Sequence, residues 1–272
     1  MEQAKGGSKF SARSLPWALG IALGVLVFVW LYHTPSGLLG KADALGYAVC
    51  HRIDLRSFSI NGRPMPLCAR CTGMYLGAIT GLVYQFSVGG RRMGMPPRRV
   101  IAVLGLLILA FAVDGLNSYL TLFPNVVTLY QPQNWMRLFT GTGMGVVLSA
   151  GLVPSFNQTV WSEWDGRPAL SGFRSLGLLI LAGLGLSALV LLNDPWILFT
   201  LSLVSAAGIL VVLGMVYIIV LLILFRRDNT ISQTRGLYLP ALGGLFLALL
   251  QIGLIDLARF WLTGTWDGFH FG

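Results

Sequence analysis

About seven apolar stretches dominate this chain, each near the ~20 residues that a helix rising roughly 1.5 Å per residue needs to cross hydrocarbon. They fall at about 15–33, 70–89, 100–123, 137–155, 174–192, 196–225 and 237–262. Backbone inside lipid must satisfy its own N–H and C=O groups, so the stretches predict helices. The expected fold class is all-α: a polytopic helical membrane protein with about seven transmembrane helices, forming a single integral domain over 1–272. Composition agrees, because 55% hydrophobic and 11% charged residues leave too little charge to cover a water-exposed surface. The sixth stretch is longer than a perpendicular crossing and predicts tilt or projection from the membrane. The first is long for a signal-peptide core and no Ala-x-Ala site follows it, so it reads as a span.

The formal charge is +9, yet the basic residues sit in short clusters between apolar stretches instead of forming one basic face. That distribution argues against a nucleic-acid partner and for membrane lipids. Lys5, Lys9 and Arg13 precede the first span. Arg91, Arg92, Arg98 and Arg99 follow the second, Arg167 and Arg174 separate the fourth and fifth, and Arg226, Arg227 and Arg235 separate the sixth and seventh. Seven crossings put all of these on one side, which the positive-inside rule makes cytoplasmic. The expectation is a multi-pass protein of the cytoplasmic membrane with a cytoplasmic N-terminus and a C-terminus on the outer side. Lys41, Arg52, Arg56, Arg63 and Arg70 defy the rule, partly offset by Asp43 and Asp54. Such residues serve a bound anion or a buried pair, or are simply solvated.

Those exceptions fall in or beside 34–71, a polar re-entrant or interfacial segment between the first two spans. Leu38, Leu39, Ala42, Leu45 and Val49 share one helical face while Lys41 and Asp43 lie elsewhere, so a short helix is expected there, with Ser36 as its cap. Asn61-Gly62 and Pro64 predict a hairpin or irregular loop after it.

All three cysteines lie in this segment. Cys50 is followed by His51, and Cys68-Ala69-Arg70-Cys71 forms a C-x-x-C pair. Three thiolates and an imidazole can complete the tetrahedron that zinc prefers, so Cys50, His51, Cys68 and Cys71 are candidate metal ligands. Adjacent residues often point apart, which makes the Cys50-His51 pair the weaker half. The same atoms support a redox reading, because Cys68 and Cys71 start a helix beside Arg70, a setting that stabilises thiolate, with Cys50 as resolving partner. Small buried hydrophobes are the third reading.

Asp114 interrupts the third span, with Asn117 about one turn later. A carboxylate at that depth is costly unless paired, protonated or solvated, so Asp114 is either a structural ion pair or an acid/base group. Arg137 enters the fourth span after Asn134 and can partner Asp114. Asp256 and Arg259 are expected to form an intrahelical pair. Tryptophans 17, 135, 161, 164, 196, 261 and 266 read as interfacial anchors. Gly141-x-Gly143-x-Gly145 reads as a helix contact, and no phosphate-binding loop supports a nucleotide cofactor.

The blocks Cys50-His51-Arg52, Arg56-Ser57-Phe58, Gly62, Pro66-Leu67-Cys68-Ala69-Arg70-Cys71-Thr72-Gly73 and Tyr75-Leu76-Gly77 occur in that order. With Asp114-Gly115, Asn134, Arg137, Thr140 and Gly141, they make residues 45–150 resemble the DUF2085 family of uncharacterised bacterial and archaeal membrane proteins. The resemblance implies a shared polar site without defining its substrate.

Together these features predict a Cys/His metal site, with zinc the suspected cofactor. Arg52, Arg56, Arg70, Asn134 and Arg137 would beside it bind an anionic or lipid-linked ligand, and Asp114 would balance charge or act as the catalytic acid/base. Two other classes remain open. One is a membrane thiol-disulfide oxidoreductase exchanging electrons with a quinone or partner protein. The other is a transporter, or a noncatalytic subunit with a membrane protein partner, using Asp114, Arg137 and Asp256 as a polar path.

Overall fold

A computed structural model describes residues 14–123 and 126–268, so Lys5, Lys9 and Arg13 lie outside the described residues. Helices form at every expected apolar stretch: α1 Leu15–His33, α3 Ala69–Gly89, α4 Arg98–Leu120, α5 Asn134–Val160, α6 Phe173–Leu191, α7 Pro195–Leu224 and α8 Tyr238–Thr263. The short α2, Gly37–Val49, lies between α1 and α3. Six of the long helices are apolar enough along their length to cross a membrane, and α3 is the one left out of that set. The protein is therefore an all-α, multi-pass membrane protein.

The tightest packing in the bundle joins α3 to α5. A Cβ on Gly73 would stand 2.1 Å from the Leu138 carbonyl oxygen, and one on Gly141 would stand 2.1 Å from that of Arg70. Gly77 against Thr142 and Gly145 against Met74 repeat the arrangement one turn further along. Glycines spaced by four on both helices bring backbone against backbone, as small-residue seams do in lipid, where dispersion must replace the hydrophobic effect. Gly143 faces Leu107 of α4 instead. The sequence expectation that these glycines are helix contacts therefore holds for two separate faces of α5.

Two groups of loops gather at opposite ends. At one end, β3 (Arg92–Gly94) pairs in parallel with β4 (Asp165–Pro168), and Trp161 bridges to Ile231. At the other end, α2 packs against α7 and α8. The hairpin of β1 (Ser59–Ile60) and β2 (Arg63–Pro64) turns at Asn61 and Gly62, whose φ values of 50° and 82° are those of a tight two-residue turn. Ile60 and Met65 carry this hairpin into an apolar cluster with Leu76, Leu138 and Leu198.

Several local expectations give way to tertiary structure. Ser36 occupies the N-cap position of α2, but its side chain makes no capping hydrogen bond. Asp43 is buried because Arg52 and Arg63 both pair with it. Trp17, Trp196 and Trp261 are strongly exposed, as lipid-boundary anchors should be. Trp161 is instead buried, donates to Asn157 Oδ1 at 3.1 Å and lies under the Arg91 guanidinium. Trp266 packs on the Tyr47 ring.

Candidate metal centre

Three parts of the chain converge to make the cysteine group. Cys50 ends α2, Cys68 precedes α3, and Cys71 lies in the first turn of α3. Gly46 allows the strand through Pro66 to pass directly over α2, since a side chain there would collide with the Pro66 carbonyl. That crossing places the Cys68 N–H 3.4 Å from Cys50 Sγ, and the Arg52 N–H reaches the same sulfur at 3.5 Å. All three sulfurs lie within 4.8 Å of one another. Cys50 and Cys68 are buried, and Leu67, Tyr75, Ala206, Ile209 and Ile252 surround them.

This donor set fits a soft or borderline cation. Zinc–thiolate bonds of about 2.3 Å in a tetrahedron put sulfurs roughly 3.8 Å apart, a spacing of the same order as the 4.8 Å within which these three lie. Hydrogen bonds from the Cys68 and Cys71 thiols hold the Cys50 thiol well below its ordinary pKa, with burial opposing them. One anionic sulfur is thus favoured even before a cation adds its charge.

His51 does not join the sulfurs. Cys50 has extended backbone, φ −132° and ψ 146°, so successive side chains leave on opposite sides. The His51 Nδ1 instead accepts from the Ile53 N–H at 3.2 Å. Burial pushes the imidazole pKa down, Cys50 opposes that, and Arg56, Arg70 and Arg137 push it further down. The expected four-residue group is therefore a group of three cysteines without the histidine, with a basic cluster on the histidine side.

That basic cluster is built around Asp114 and Ser118 of α4. Arg70 donates to both the carboxylate and the backbone carbonyl of Asp114. Tyr130 Oη and Thr140 Oγ1 add donors at 3.0 and 3.1 Å. Asp114 is 2% exposed and fully engaged, so it balances the charge of Arg70 and holds α3, α4 and α5 together. Arg137, the alternative partner for Asp114, donates to Ser118 Oγ at 3.1 Å and Asn134 Oδ1 at 2.8 Å. Arg56 donates to the Ser118 carbonyl at 2.9 Å and Thr121 Oγ1 at 3.2 Å, near the negative end of α4. Asn134 Nδ2 reaches back to the carbonyls of Leu55 and Ser57, both at 3.3 Å, which fastens the Arg56 turn to α5.

Arg56, Arg70, Asn134 and Arg137 therefore lie in one cluster, while Arg52 stands apart from it. Its guanidinium pairs with Asp43 at 2.8 Å and donates to the Trp266 carbonyl at 2.9 Å. The carboxylate that captures it lies on α2, too far along the chain for local pattern to reveal the pairing. Ser118 and Tyr130 carry no sequence signal as site residues, because lone hydroxyl residues have no spacing pattern, whereas Thr140 enters only through the family resemblance. Asp256 and Arg259 turn to different neighbours. Asp256 accepts from Trp30 Nε1 at 3.2 Å, whereas Arg259 donates to the carbonyls of Tyr47 and Cys50 and covers the Tyr47 ring at 3.9 Å. Arg259 thereby anchors the end of α2 that presents Cys50.

Comparison with known proteins places these residues in a family. The family described as "Predicted membrane protein (DUF2085)" matches residues 50–150, a stretch holding all three cysteines, Arg56, Arg70, Asp114, Asn134 and Arg137. An uncharacterized protein of Methanothermobacter thermautotrophicus is 32% identical over 101 residues, covering 37% of this chain and 81% of the relative. The chain belongs to the DUF2085 family. A second relative, an uncharacterized protein of Methanocaldococcus jannaschii, is 26% identical over 117 residues, covering 43% of this chain and 69% of its own. No solved structure matches. The DUF2085 match thus ends within α5, although α7 and α8 supply Ala206, Ile209, Ile252 and Arg259 to the surroundings of the cysteines.

Proposed function

We propose that this DUF2085 protein carries a zinc ion on Cys50, Cys68 and Cys71, and that the adjoining arginines bind the anionic head of a phosphate- or carboxylate-bearing ligand. The convergence of three sulfurs at one buried point carries the metal reading. With three protein ligands the fourth coordination position stays open, which is the arrangement of zinc sites that engage water or a substrate. Charge supports the second half. Arg56 and Arg137 are 9% and 6% exposed, and neither has a carboxylate among the described ion pairs, while Asp114 is taken by Arg70. Buried guanidiniums favour an anion with charge-assisted acceptors.

The membrane arrangement proposed with it has α3 as a seventh crossing, the N-terminus cytoplasmic and the cysteine end outside. The association of the loops after α3, α5 and α7 at one end supports the α3 crossing, because Arg91 donates to the Ser232 carbonyl at 3.0 Å and Asn229 N–H to the Thr159 carbonyl at 2.8 Å; the cytoplasmic side rests on the positive-inside rule. Helices whose C-terminal loops meet run in the same direction.

Metal analysis of the detergent-extracted protein tests the reading. One zinc per chain is expected, lost in Cys50→Ser, Cys68→Ser and Cys71→Ser but kept in His51→Ala. Protein without bound metal that keeps native helicity and melting temperature would end the proposal. The same three free thiols also favour dithiol-disulfide exchange as a second reading. Alkylation after mild oxidation separates the two: a Cys68–Cys71 disulfide that forms and is reduced reversibly supports exchange, and permanently protected thiols support the metal.

A further inference from the structure

We infer that the end of the bundle opposite the cysteines holds a specific site for one anionic phospholipid, with an acyl chain between α1, α7 and α8 and its phosphate at Arg227 and Arg235. A cavity of about 590 Å³ lies there, lined by apolar side chains that include Leu19, Leu221, Phe225, Phe246 and Leu247. Its size is that of a ligand pocket for one small molecule or chain. A second hollow of about 560 Å³ adjoins it and carries more polar side chains, with Thr230, Ser232 and Gln233 beside the two arginines. Arg227, Thr230, Ile231 and Gly236 line both, so the apolar and basic compartments are continuous.

An apolar chamber opening onto a basic groove selects an amphiphile with a negative head. Neither Arg227 nor Arg235 belongs to an ion pair among the described residues, and Asp228 is the single acid in 226–236. Arg91 adds a further cation by bonding the Ser232 carbonyl on the groove wall. The second hollow is formed by the α7–α8 loop, so a lipid seated in the cavity reaches the arginines without leaving its leaflet. Arg227 and Arg235 are exposed at the rim of the groove, and basic residues placed beside a hollow between membrane helices recognise anionic headgroups in this way. Gly243 matters because it leaves one wall of the chamber empty, and a Cβ there would meet the movable Leu221 Cδ1 at 2.8 Å.

Native mass spectrometry of the full chain in detergent, with equal amounts of phosphatidylglycerol and phosphatidylcholine of identical chains, tests this. Wild type should retain phosphatidylglycerol at least about tenfold better, since two arginines near a lipid headgroup each contribute to its affinity. In Arg227→Gln/Arg235→Gln the preference should fall towards one, and Gly243→Leu should reduce retention of both lipids. Raising salt on the unmodified protein should erode the preference without any substitution. Equal retention by wild type, or a preference that survives the double substitution, would overturn the inference. So would displacement of the lipid by inorganic phosphate but not by chloride of the same ionic strength, which would mark a free-anion site.

Discussion

Gly46 of α2 faces the Pro66 carbonyl oxygen so closely that a Cβ would stand 2.1 Å from it. Both partners in that contact are backbone, so neither yields by rotating a side chain. Gly46→Ala should therefore push the 66–68 strand away from α2 and separate Cys68 from Cys50. Overpacking of this kind costs about 1–3 kcal/mol, and the metal stoichiometry should fall with the melting temperature. Gly105→Ala is the control, because nothing lies within 4 Å of a Cβ there; it should leave stability unchanged or raise it by up to about 1 kcal/mol, the helix propensity that Ala gains over Gly. Equal behaviour of the two variants would show that the crossing does not build the cysteine site.

Asp114 and Arg70 form the charge pair on which three helices meet. Asp114→Asn leaves Arg70 facing two more buried guanidiniums without a counter-charge, and breaking a buried pair typically costs about 3–5 kcal/mol. Asp114→Asn/Arg70→Met should recover a large part of that loss in thermal unfolding. A double variant as unstable as the sum of the singles would mean that the two residues act independently.

The sequence reveals the long helices because hydrocarbon thickness imposes a length that composition must meet, and α7 or α8 can be read almost residue by residue. The cysteines are legible as a group because three reactive donors share one polar segment. His51 misleads, since neighbours on an extended backbone diverge and only the conformation at Cys50 decides that. Arg52 and Arg56 look alike in sequence, yet one meets Asp43 and the other Ser118. Nothing local distinguishes them, because the choice depends on where α2 and α4 come to lie. Trp161 resembles a boundary anchor until Arg91 and Asn157 bury it.

Asp165 gives the arginine-rich end a predictable response to acid. Hydrogen bonds from Arg167, first from its side chain and then from its backbone, hold this carboxyl down at about 2 against an ordinary 3.8. A depressed carboxyl contributes stability above its unfolded pKa and loses it as pH falls through the folded value. The group lies at the surface with its side chain about a third exposed, so the effect is small and screened by salt. Wild type should melt slightly above Asp165→Asn at pH 5, and the gap should close near pH 2. A gap that does not vary with pH would assign the difference to something other than this ionisation.

The proposed orientation can be checked without reference to the metal. Leu55 and Met95 are 87% and 72% exposed, and they lie in the loops before and after α3. If α3 crosses the membrane, cysteines at these positions label from opposite faces. In intact cells a membrane-impermeant maleimide should modify Leu55→Cys, while Met95→Cys should react only after the membrane is opened. Cys50 and Cys68 are buried and Cys71 is partly so, which makes the unmodified chain the necessary background. Labelling of both positions from one face would remove α3 from the crossings, and labelling in the reverse sense would invert the bundle. Either result would leave the distances among the three sulfurs untouched while moving the site they form to a different compartment.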